Sequence, residues 1–459
     1  MLLNTISSKG LAHHSYLVGD QAECAVIDPS RDVDRYLDAA AAAGCRISLV
    51  FETHRNEDYI SGAQDLARRT GAVVWRGESP AYNVPYARVI SEGQAFGFGD
   101  VRLTTLRTPG HTDDSISIVL RHLATGDDPI GVFTGDALFV GDVGRADFYP
   151  DRAREVAGLL HDSLQKLLTL GDSAIVYPAH GAGSVCGSGM ARRELTTIGY
   201  ERANNPKLQL DRDAFIQAKL GEHHEMPPYF RRMEQANAHG PSPLERLPDV
   251  QATTVNAASE ALERGAQLLD LRNDQAIAGA SIREAIAVPS DMLASFGGWF
   301  LRDDRPIVLL LDRSSDLQEV VRTLVRLGYD DVSASVAGGF EAWSTAARPV
   351  QPIDGLDVHE LKRRLASREP PVLLDVRAPD EFESGHIESA RHVYVGRVAE
   401  AVDSLRTARQ IVTFCGTGRR ALIAAAALRR LGLDDVAVCW GSMKAWKAAG
   451  YPVTGAKPQ

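Results

Sequence analysis

Short apolar runs alternate with stretches of helical period along most of the chain. In the first part, strand-like runs at 15–19 and 24–28 are followed by helix-like stretches at 33–43 and 62–70. Short apolar runs bounded by turn residues predict strands, whereas apolar residues three and four positions apart predict helices. The pattern therefore predicts an α/β protein, and in the first part a β-sandwich covered by helices.

The second half contains an internal repeat with a spacing of about 105 residues. Leu-Leu-Asp-Leu-Arg at 268–272 returns as Leu-Leu-Asp-Val-Arg at 373–377. Gly-Gly-Phe-Glu-Ala-Trp at 338–343 likewise returns as Gly-Ser-Met-Lys-Ala-Trp at 441–446. Each copy alternates β-branched runs with Ala/Leu/Arg stretches of helical period, which predicts parallel strands joined by helices.

These patterns predict three domains. Residues 1–237 form the larger amino-terminal domain, and residues 238–250, which contain three prolines up to Pro248, form a linker. The two copies of the repeat, 251–350 and 351–459, are predicted as separate α/β domains. A length of 459 residues agrees with that number.

Composition narrows the class of partner. The 50 Lys and Arg against 60 Asp and Glu give a net charge of -10, which argues against nucleic acid or an anionic membrane. No apolar run is long enough for a transmembrane helix, and the first residues do not resemble a signal peptide. The five cysteines form no CxxC pair, which points to a reducing compartment. We therefore expect a cytoplasmic protein.

Four candidate metal ligands follow strand-like runs and precede turns: His54, His111, Asp136 and His180. Residues in such positions on neighbouring strands meet at one edge of a sheet. Imidazole and carboxylate groups are the usual protein ligands of transition metals. The amino-terminal domain is therefore predicted to hold a metal ion.

The order of these motifs resembles the metallo-β-lactamase superfamily, whose fold has αββα layers. The first motif of that superfamily is typically His-x-His-x-Asp-His, but here Asn56 and Tyr59 replace its second and third histidines. His54, His111 and Asp136 remain, a set with two histidines and one carboxylate that is typical of non-haem Fe(II) oxygen chemistry. The set is similar to that of the mononuclear-iron persulfide dioxygenases, and this resemblance implies one Fe(II) per chain.

Several neighbouring residues are expected to assist this site. Asp58 and His180 are predicted to support the ligands or contact substrate. Arg145 is a candidate for binding a substrate carboxylate or phosphate, with a structural salt bridge as the alternative. Cys186 lies in a glycine-rich loop after His180, where it is either a carrier thiol near the metal or a small packing residue.

The second copy of the repeat contains a candidate nucleophile. Cys415 ends a β-run and precedes a glycine-bearing loop and a helix predicted from Ala421, so that backbone N–H groups would stabilise its thiolate. Arg420 completes the Cys-x₄-Arg spacing, which resembles the active-site loop of the rhodanese family. In the first copy Cys415 aligns with Leu311. That copy is expected to be a spacer or a docking surface.

The three-part order resembles the persulfide dioxygenase–sulfurtransferase fusions of the CstB type. That resemblance implies oxidation of a low-molecular-weight persulfide (of glutathione, coenzyme A or a similar thiol) by O₂ to sulfite. It also implies movement of sulfane sulfur to or from sulfite and thiosulfate through Cys415, in sulfide detoxification, by a homo-oligomer. The alternatives are a zinc-dependent thioester hydrolase of the glyoxalase II type fused to a rhodanese, and a non-catalytic sulfur carrier or sensor.

Overall fold

A computed structural model describes residues 1–20, 22–79, 81, 83–184, 187 and 189–455. The chain divides into two compact units. The first unit comprises Met1–Glu222, Pro228–Leu247 and Arg322–Gly328, and the second comprises His223–Pro227, Pro248–Val321 and Tyr329–Gln459. The predicted boundaries at 237, 250 and 350 stay predictions.

The first unit contains two six-stranded sheets. One has the order β1 to β6: β1 (Leu2–Ser8), β2 (His13–Asp20), β3 (Glu23–Ile27), β4 (Arg46–Glu52), β5 (Val73–Arg76) and β6 (Ala87–Val89). The other has the order β12 to β7: β7 (Ala95–Phe98), β8 (Val101–Arg107), β9 (Ile116–His122), β10 (Gly131–Gly135), β11 (Ile175–Pro178) and β12 (Thr196–Thr197). The helices are α1 (Asp34–Ala42), α2 (Ala63–Thr70), α3 (Ala153–Leu168), α4 (Ile198–Asn204), α5 (Arg212–Leu220) and α6 (Phe230–His239).

Three buried clusters hold these layers together. Between the two sheets lies an apolar core that includes Phe51 from β4 and Phe133 from β10. On the outer face of the first sheet, Tyr36 of α1 and Leu66 of α2 are buried against the strands. Helices α3 and α5 cover the outer face of the second sheet in the same way. The αββα arrangement is therefore confirmed.

The second unit contains two five-stranded parallel sheets. The first, in the order β13-β17-β16-β14-β15, consists of β13 (Gln251–Thr253), β14 (Gln267–Asp270), β15 (Ile286–Ala287), β16 (Ile307–Leu310) and β17 (Val332–Val336). The second, in the order β18-β22-β21-β19-β20, consists of β18 (Gly355–Leu356), β19 (Val372–Asp375), β20 (Arg391–His392), β21 (Ile411–Phe414) and β22 (Val436–Cys439). The two orders are the same when counted within each sheet, which confirms the repeat.

Ten helices accompany the repeats in the described part of the chain. Those of the first copy are α7 (Val255–Glu263), α8 (Asp274–Gly279), α9 (Leu293–Phe300), α10 (Leu317–Arg326) and α11 (Gly339–Thr345). Those of the second copy are α12 (Val358–Leu365), α13 (Pro379–Glu383), α14 (Val398–Leu405), α15 (Arg419–Arg430) and α16 (Ser442–Ala448). Helix α15 begins two residues before the predicted start at Ala421, because Gly418 takes a positive φ of 112° and turns the chain into the helix.

The proline-containing segment after α6 is anchored to the first unit. The backbone N–H of Leu244 donates to Asp65 Oδ2 over 2.7 Å, and Arg31 donates to the carbonyl of Ser242 over 3.0 Å. None of the helices among the described residues combines the length and apolarity needed to cross a bilayer.

Candidate active sites

The four predicted metal-site residues all lie directly after strands. His54 follows β4, His111 follows β8, Asp136 follows β10 and His180 follows β11. All four side chains are at most 2% exposed. The αββα topology therefore brings residues separated by more than a hundred positions to one end of the two sheets.

Three of these residues form a compact cluster. Ligand atoms of His54, His111 and Asp136 all lie within 4.8 Å of one another. Asp136 Oδ2 is 3.8 Å from His54 Nε2 and 3.6 Å from His111 Nε2. Distances of this size leave room for an ion between the three atoms, since its bonds to imidazole nitrogen or carboxylate oxygen are about 2.0–2.2 Å long.

The hydrogen bonds of both imidazoles leave their Nε2 atoms available to a metal. The Thr53 hydroxyl donates to Asp28 over 2.8 Å, so its oxygen accepts from His54 Nδ1, also over 2.8 Å. His111 Nδ1 donates to the carbonyl of Arg145 over 3.0 Å. Neither Nε2 atom has a hydrogen-bond partner among the described residues, although both are buried. Imidazoles that are fixed through Nδ1 and keep Nε2 for a ligand bond fit a transition-metal ion.

His180 is engaged differently from the other two histidines. Its Nδ1 lies 2.8 and 3.0 Å from the two carboxylate oxygens of Asp136, and its Nε2 lies 2.9 Å from Asp58 Oδ2. Burial alone would lower the pKa of His180, but these two carboxylates raise it well above its usual value. Both ring nitrogens of His180 face carboxylates, and the compact cluster of ligand atoms comprises only His54, His111 and Asp136 among the described residues, so His180 and Asp58 lie beside the cluster.

The residues that replace the second and third histidines of the first motif have other contacts. Asn56 Nδ2 lies 3.4 Å from the carbonyl of His54, and the carbonyl of Asn56 accepts from Asn237 over 2.7 Å. The buried ring of Tyr59 lies 4.2 Å from that of His13. These two positions therefore offer no imidazole to a second metal ion.

Glu57, a further charged residue next to the cluster, was not predicted from the sequence. This carboxylate is fully buried, and its Oε1 lies 3.3 Å from His111 Nε2. Burial would raise the pKa of Glu57, but the nearby imidazole of His111 lowers it overall. The sequence offered one signal for Glu57, since it lies within the motif that follows strand β4 and contains His54. An acid buried at such a position needs a nearby positive charge or metal ion.

The structure describes Arg145 but not Cys186, the two other residues predicted to assist the metal site. The Arg145 side chain is buried, and its Nε and Nη2 atoms each donate to Asp147 over 2.6 Å. The guanidinium also lies 4.9 Å from the centroid of the Phe148 ring. This geometry matches the structural salt bridge, the alternative to substrate binding. Cys186 lies outside the described residues, so both of its interpretations stay open.

The Cys415 loop in the second repeat brings a backbone N–H group to its sulfur. Strand β21 ends at Phe414, and the N–H of Gly418 donates to Cys415 Sγ over 3.1 Å. The carbonyls of Cys415, Gly416 and Thr417 accept backbone N–H groups at the start of α16, each over 3.0 Å. Because these carbonyls point towards α16, the loop can direct its N–H groups towards the sulfur, as an anion-binding loop does.

Two further side chains complete this loop. The Arg420 guanidinium makes a two-point contact with Glu381, with Nη1–Oε2 and Nη2–Oε1 distances of 2.5 and 2.8 Å. The buried Ser442 hydroxyl accepts the N–H of Cys415 over 3.1 Å and donates to the carbonyl of Cys439 over 2.7 Å. Neither Glu381 nor Ser442 was predicted, although Ser442 could have been found because its counterpart in the first repeat is a glycine.

The first repeat has no thiol at the corresponding position. Leu311 follows β16 where Cys415 follows β21, and the adjacent Asp312 accepts both the N–H and the side-chain amide of Asn273. The repeat keeps the strand order of its partner but lacks the nucleophile. Sulfur transfer by a cysteine persulfide therefore has no residue to use in this copy.

Comparison with known proteins assigns both parts of the chain. The Metallo-beta-lactamase superfamily matches residues 9–180, and the Rhodanese-like domain matches residues 254–346 and 357–449. Mouse mitochondrial persulfide dioxygenase ETHE1 is 29% identical over 209 residues, which cover 44% of this chain and 74% of that protein. Hydroxyacylglutathione hydrolase GloC of Haemophilus influenzae is 25% identical over 215 residues, covering 42% and 91% of the two chains.

A solved structure extends the likeness beyond the first domain. The crystal structure of a metallo-beta-lactamase from Staphylococcus aureus covers 73% of this chain and 98% of its own, with 28% sequence identity and a TM-score of 0.65. A match of this extent includes part of the repeat region as well as the sandwich. The chain thus consists of an amino-terminal domain of the metallo-β-lactamase superfamily, similar to the persulfide dioxygenases, followed by two rhodanese-like domains.

Proposed function

We propose that the chain is a non-haem Fe(II) persulfide dioxygenase fused to a sulfurtransferase. The observation that carries the proposal is the buried cluster of His54, His111 and Asp136, whose two imidazoles are held through Nδ1 with their Nε2 atoms 3.8 and 3.6 Å from the Asp136 carboxylate. Two histidines and one carboxylate with open positions are typical of iron oxygenases. The relatives with persulfide dioxygenase activity and the two rhodanese-like domains support an enzyme of oxidoreductase and sulfurtransferase character.

The proposed oxidation consumes the persulfide of a low-molecular-weight thiol. RSS⁻, O₂ and H₂O give RS⁻, sulfite and two protons; the terminal sulfur loses four electrons, and O₂ gains them. One Fe(II), held by His54, His111 and Asp136, would supply the activation of O₂ that organic side chains lack. His180 holds the Asp136 carboxylate through Nδ1 and is itself held by Asp58, so we assign both residues to positioning.

The proposed sulfur transfer takes place at Cys415. The thiolate attacks the outer sulfur of thiosulfate, the S–S bond breaks, and sulfite leaves with the bonding electron pair, so that Cys415 carries a persulfide. The reverse reaction returns sulfane sulfur to sulfite. The N–H of Gly418 stabilises negative charge on the sulfur, and Arg420 would bind the sulfonate oxygens after exchanging its contact with Glu381.

Metal content and oxygen uptake test the first activity. Iron-loaded protein should contain one iron per chain and consume O₂ with a small persulfide, whereas H54A and D136A should lose iron and O₂ uptake together. The matched control is H122Q, because His122 lies at the end of β9 and outside the cluster. Two tightly bound zinc ions with thioester hydrolysis would contradict this proposal and support the glyoxalase II-type alternative.

Cys415→Ser separates the second activity from the first. Transfer of sulfur from thiosulfate should disappear in this variant, while O₂ uptake should stay within about twofold of the wild type. C439S is the matched control, since Cys439 is buried in the core of the same repeat. Equal loss of both activities in C415S would mean that Cys415 takes part in the oxidation, and the assignment of two independent sites would be wrong.

A further inference from the structure

The start of helix α15 is held by two carboxylates of the cysteine-free repeat. Arg419, the residue between Gly418 and Arg420, donates through Nε to Asp274 Oδ2 over 2.8 Å. Its Nη1 and Nη2 atoms donate to the two oxygens of Asp291 over 2.8 and 2.7 Å. A planar guanidinium bound through three nitrogens is fixed in position and orientation, as a lysine would not be.

Asp274 follows Asn273, which is held by the vacated loop, the loop after β16 that starts at Leu311 and corresponds to the Cys415 loop. It is the first residue of α8, and the side chain of Asn273 caps that helix by accepting the N–H of Ala276 over 3.0 Å. Asn273 donates its backbone N–H and its side-chain amide to Asp312 Oδ2 over 2.7 and 2.8 Å. Asp312 follows Leu311, which stands in the position of Cys415. Contacts therefore run from the vacated loop to the functional one.

A second contact joins the repeats near Arg420. The Trp299 ring of α9 meets the Tyr394 ring edge to face, with centroids 5.3 Å apart. A Cβ atom on Gly396 would lie 2.1 Å from the Trp299 ring, so this close approach requires glycine. Burial raises the pKa of Tyr394 to about 12, while the charge of Arg420 opposes that shift. Tyr394 thus connects Trp299 with the surroundings of the Cys415 loop.

We propose that the cysteine-free repeat is a positioning element of the sulfurtransferase site, in which Asp274 and Asp291 hold Arg419 and thereby the end of the Cys415 loop. The inference deepens the proposed sulfur transfer and rests on it for its functional readout. It gives this repeat a role more specific than a spacer.

The physical reason lies in the short backbone connection between Arg419 and the group that contacts the sulfur. Gly418, which precedes Arg419, donates its N–H to Cys415 Sγ, and because it lacks a Cβ atom it can leave its φ of 112° for more backbone conformations than other residues can. Anchoring the next residue restricts this freedom. The two carboxylates also engage Arg419, whereas Arg420 contacts one carboxylate, that of Glu381, which it exchanges for the substrate anion in the proposed transfer.

The test compares D274N/D291N with D304N in the full-length chain. Asp304 forms an exposed two-point pair with Arg302 in the same repeat, so D304N makes the same chemical change away from the loop. In D274N/D291N, kcat/KM for sulfur transfer from thiosulfate should fall about three- to tenfold, as expected for losing partly exposed ion pairs. D304N should match the wild type, and O₂ uptake should be unchanged in both variants.

Two further measurements separate positioning from general destabilisation. D291E keeps the charge and should retain at least half of the transfer activity, whereas D291N should not. Hydrogen exchange followed by mass spectrometry should be faster in D274N/D291N for the amides of 415–420, with the same melting temperature as D304N. Hydrogen exchange needs no sulfur chemistry, so it tests the anchoring of Arg419 independently of enzymatic activity. If the wild-type protein transfers no sulfur, the proposed sulfur transfer is refuted, but the anchoring is still tested by exchange. Unchanged exchange and unchanged transfer in D274N/D291N would overturn the inference.

Discussion

Ser442 provides a quantitative test of how the Cys415 loop is built. Its hydroxyl accepts the N–H of Cys415 and donates to the carbonyl of Cys439, and no part of its side chain reaches solvent. Ser442 has a φ of 42°, which is unusual for a residue with a side chain. Its counterpart in the cysteine-free repeat is Gly339, with a φ of 55°. The hydroxyl is therefore present only in the repeat that contains the cysteine.

Removing this hydroxyl leaves the buried N–H of Cys415 without its acceptor. An unsatisfied buried donor costs about 1–3 kcal/mol. If that cost is borne by the active conformation of the loop, kcat/KM for sulfur transfer should fall by a factor of about 5 to 140, since about 1.4 kcal/mol corresponds to a factor of ten. In S442G, glycine relieves the strain of the positive φ, which stabilises the folded state, but it also increases the freedom of the unfolded chain. These two effects on the free energy of unfolding offset each other to within about 1 kcal/mol. S442G and S442A should therefore lose similar amounts of activity.

The assay is steady-state transfer from thiosulfate, with O₂ uptake as the internal reference for the other domain. Ser404→Ala is the matched control, because the exposed Ser404 hydroxyl donates only to a carbonyl within α14. This control should show full activity. Folded S442G and S442A with wild-type transfer rates would refute the reasoning, since the Cys415 N–H would then not depend on the hydroxyl.

Two other predictions concern single ionisable groups. Glu381→Gln should lower KM for thiosulfate by no more than about fivefold, because the partly exposed Glu381 no longer competes for Arg420; an unchanged or higher KM in steady-state kinetics would contradict this. Burial lowers the pKa of His14 to about 4, so unfolding takes up a proton between pH 6.5 and 4, and stability falls as the pH falls through that window. The melting temperature of the wild-type protein should therefore fall further between pH 7 and pH 4.5 than that of H14Q. Equal decreases in the two proteins would contradict the lowered pKa of His14.

The layered fold and the repeat could be predicted because each rests on patterns local in sequence. Runs of apolar residues indicated strands such as β21, which ends at Phe414, one residue before the predicted end of the run at Cys415. The position of His54, His111 and Asp136 after strands also followed from the pattern, and the structure brings their ligand atoms together. That these residues bind iron stays a prediction, since the donor set indicates the metal only through its chemistry.

Residues that act through tertiary contacts left little trace in the sequence. Arg419 follows the Cys415 loop, but its partners Asp274 and Asp291 are more than a hundred residues earlier. No periodicity connects them, because their proximity depends on how α8 and the turn at 290–292 lie against the start of α15. Glu57 is similar, since its closeness to His111 depends on two loops from different sheets.

Comparison of the two repeats separates framework from chemistry within one chain. In both, a buried aspartate binds the arginine two residues later, and Nη2 of that arginine donates over 2.8 Å to a carbonyl eight residues further on. Asp375 and Arg377 therefore maintain the fold, because Asp270 and Arg272 do the same where no cysteine exists. By contrast, Cys415 and Ser442 are replaced by Leu311 and Gly339, and Ala276 stands where Glu381 binds Arg420. The groups that change together are the cysteine, the hydroxyl that accepts its N–H and the carboxylate that binds the neighbouring arginine. This is the pattern expected when a copy loses catalysis but keeps a structural task.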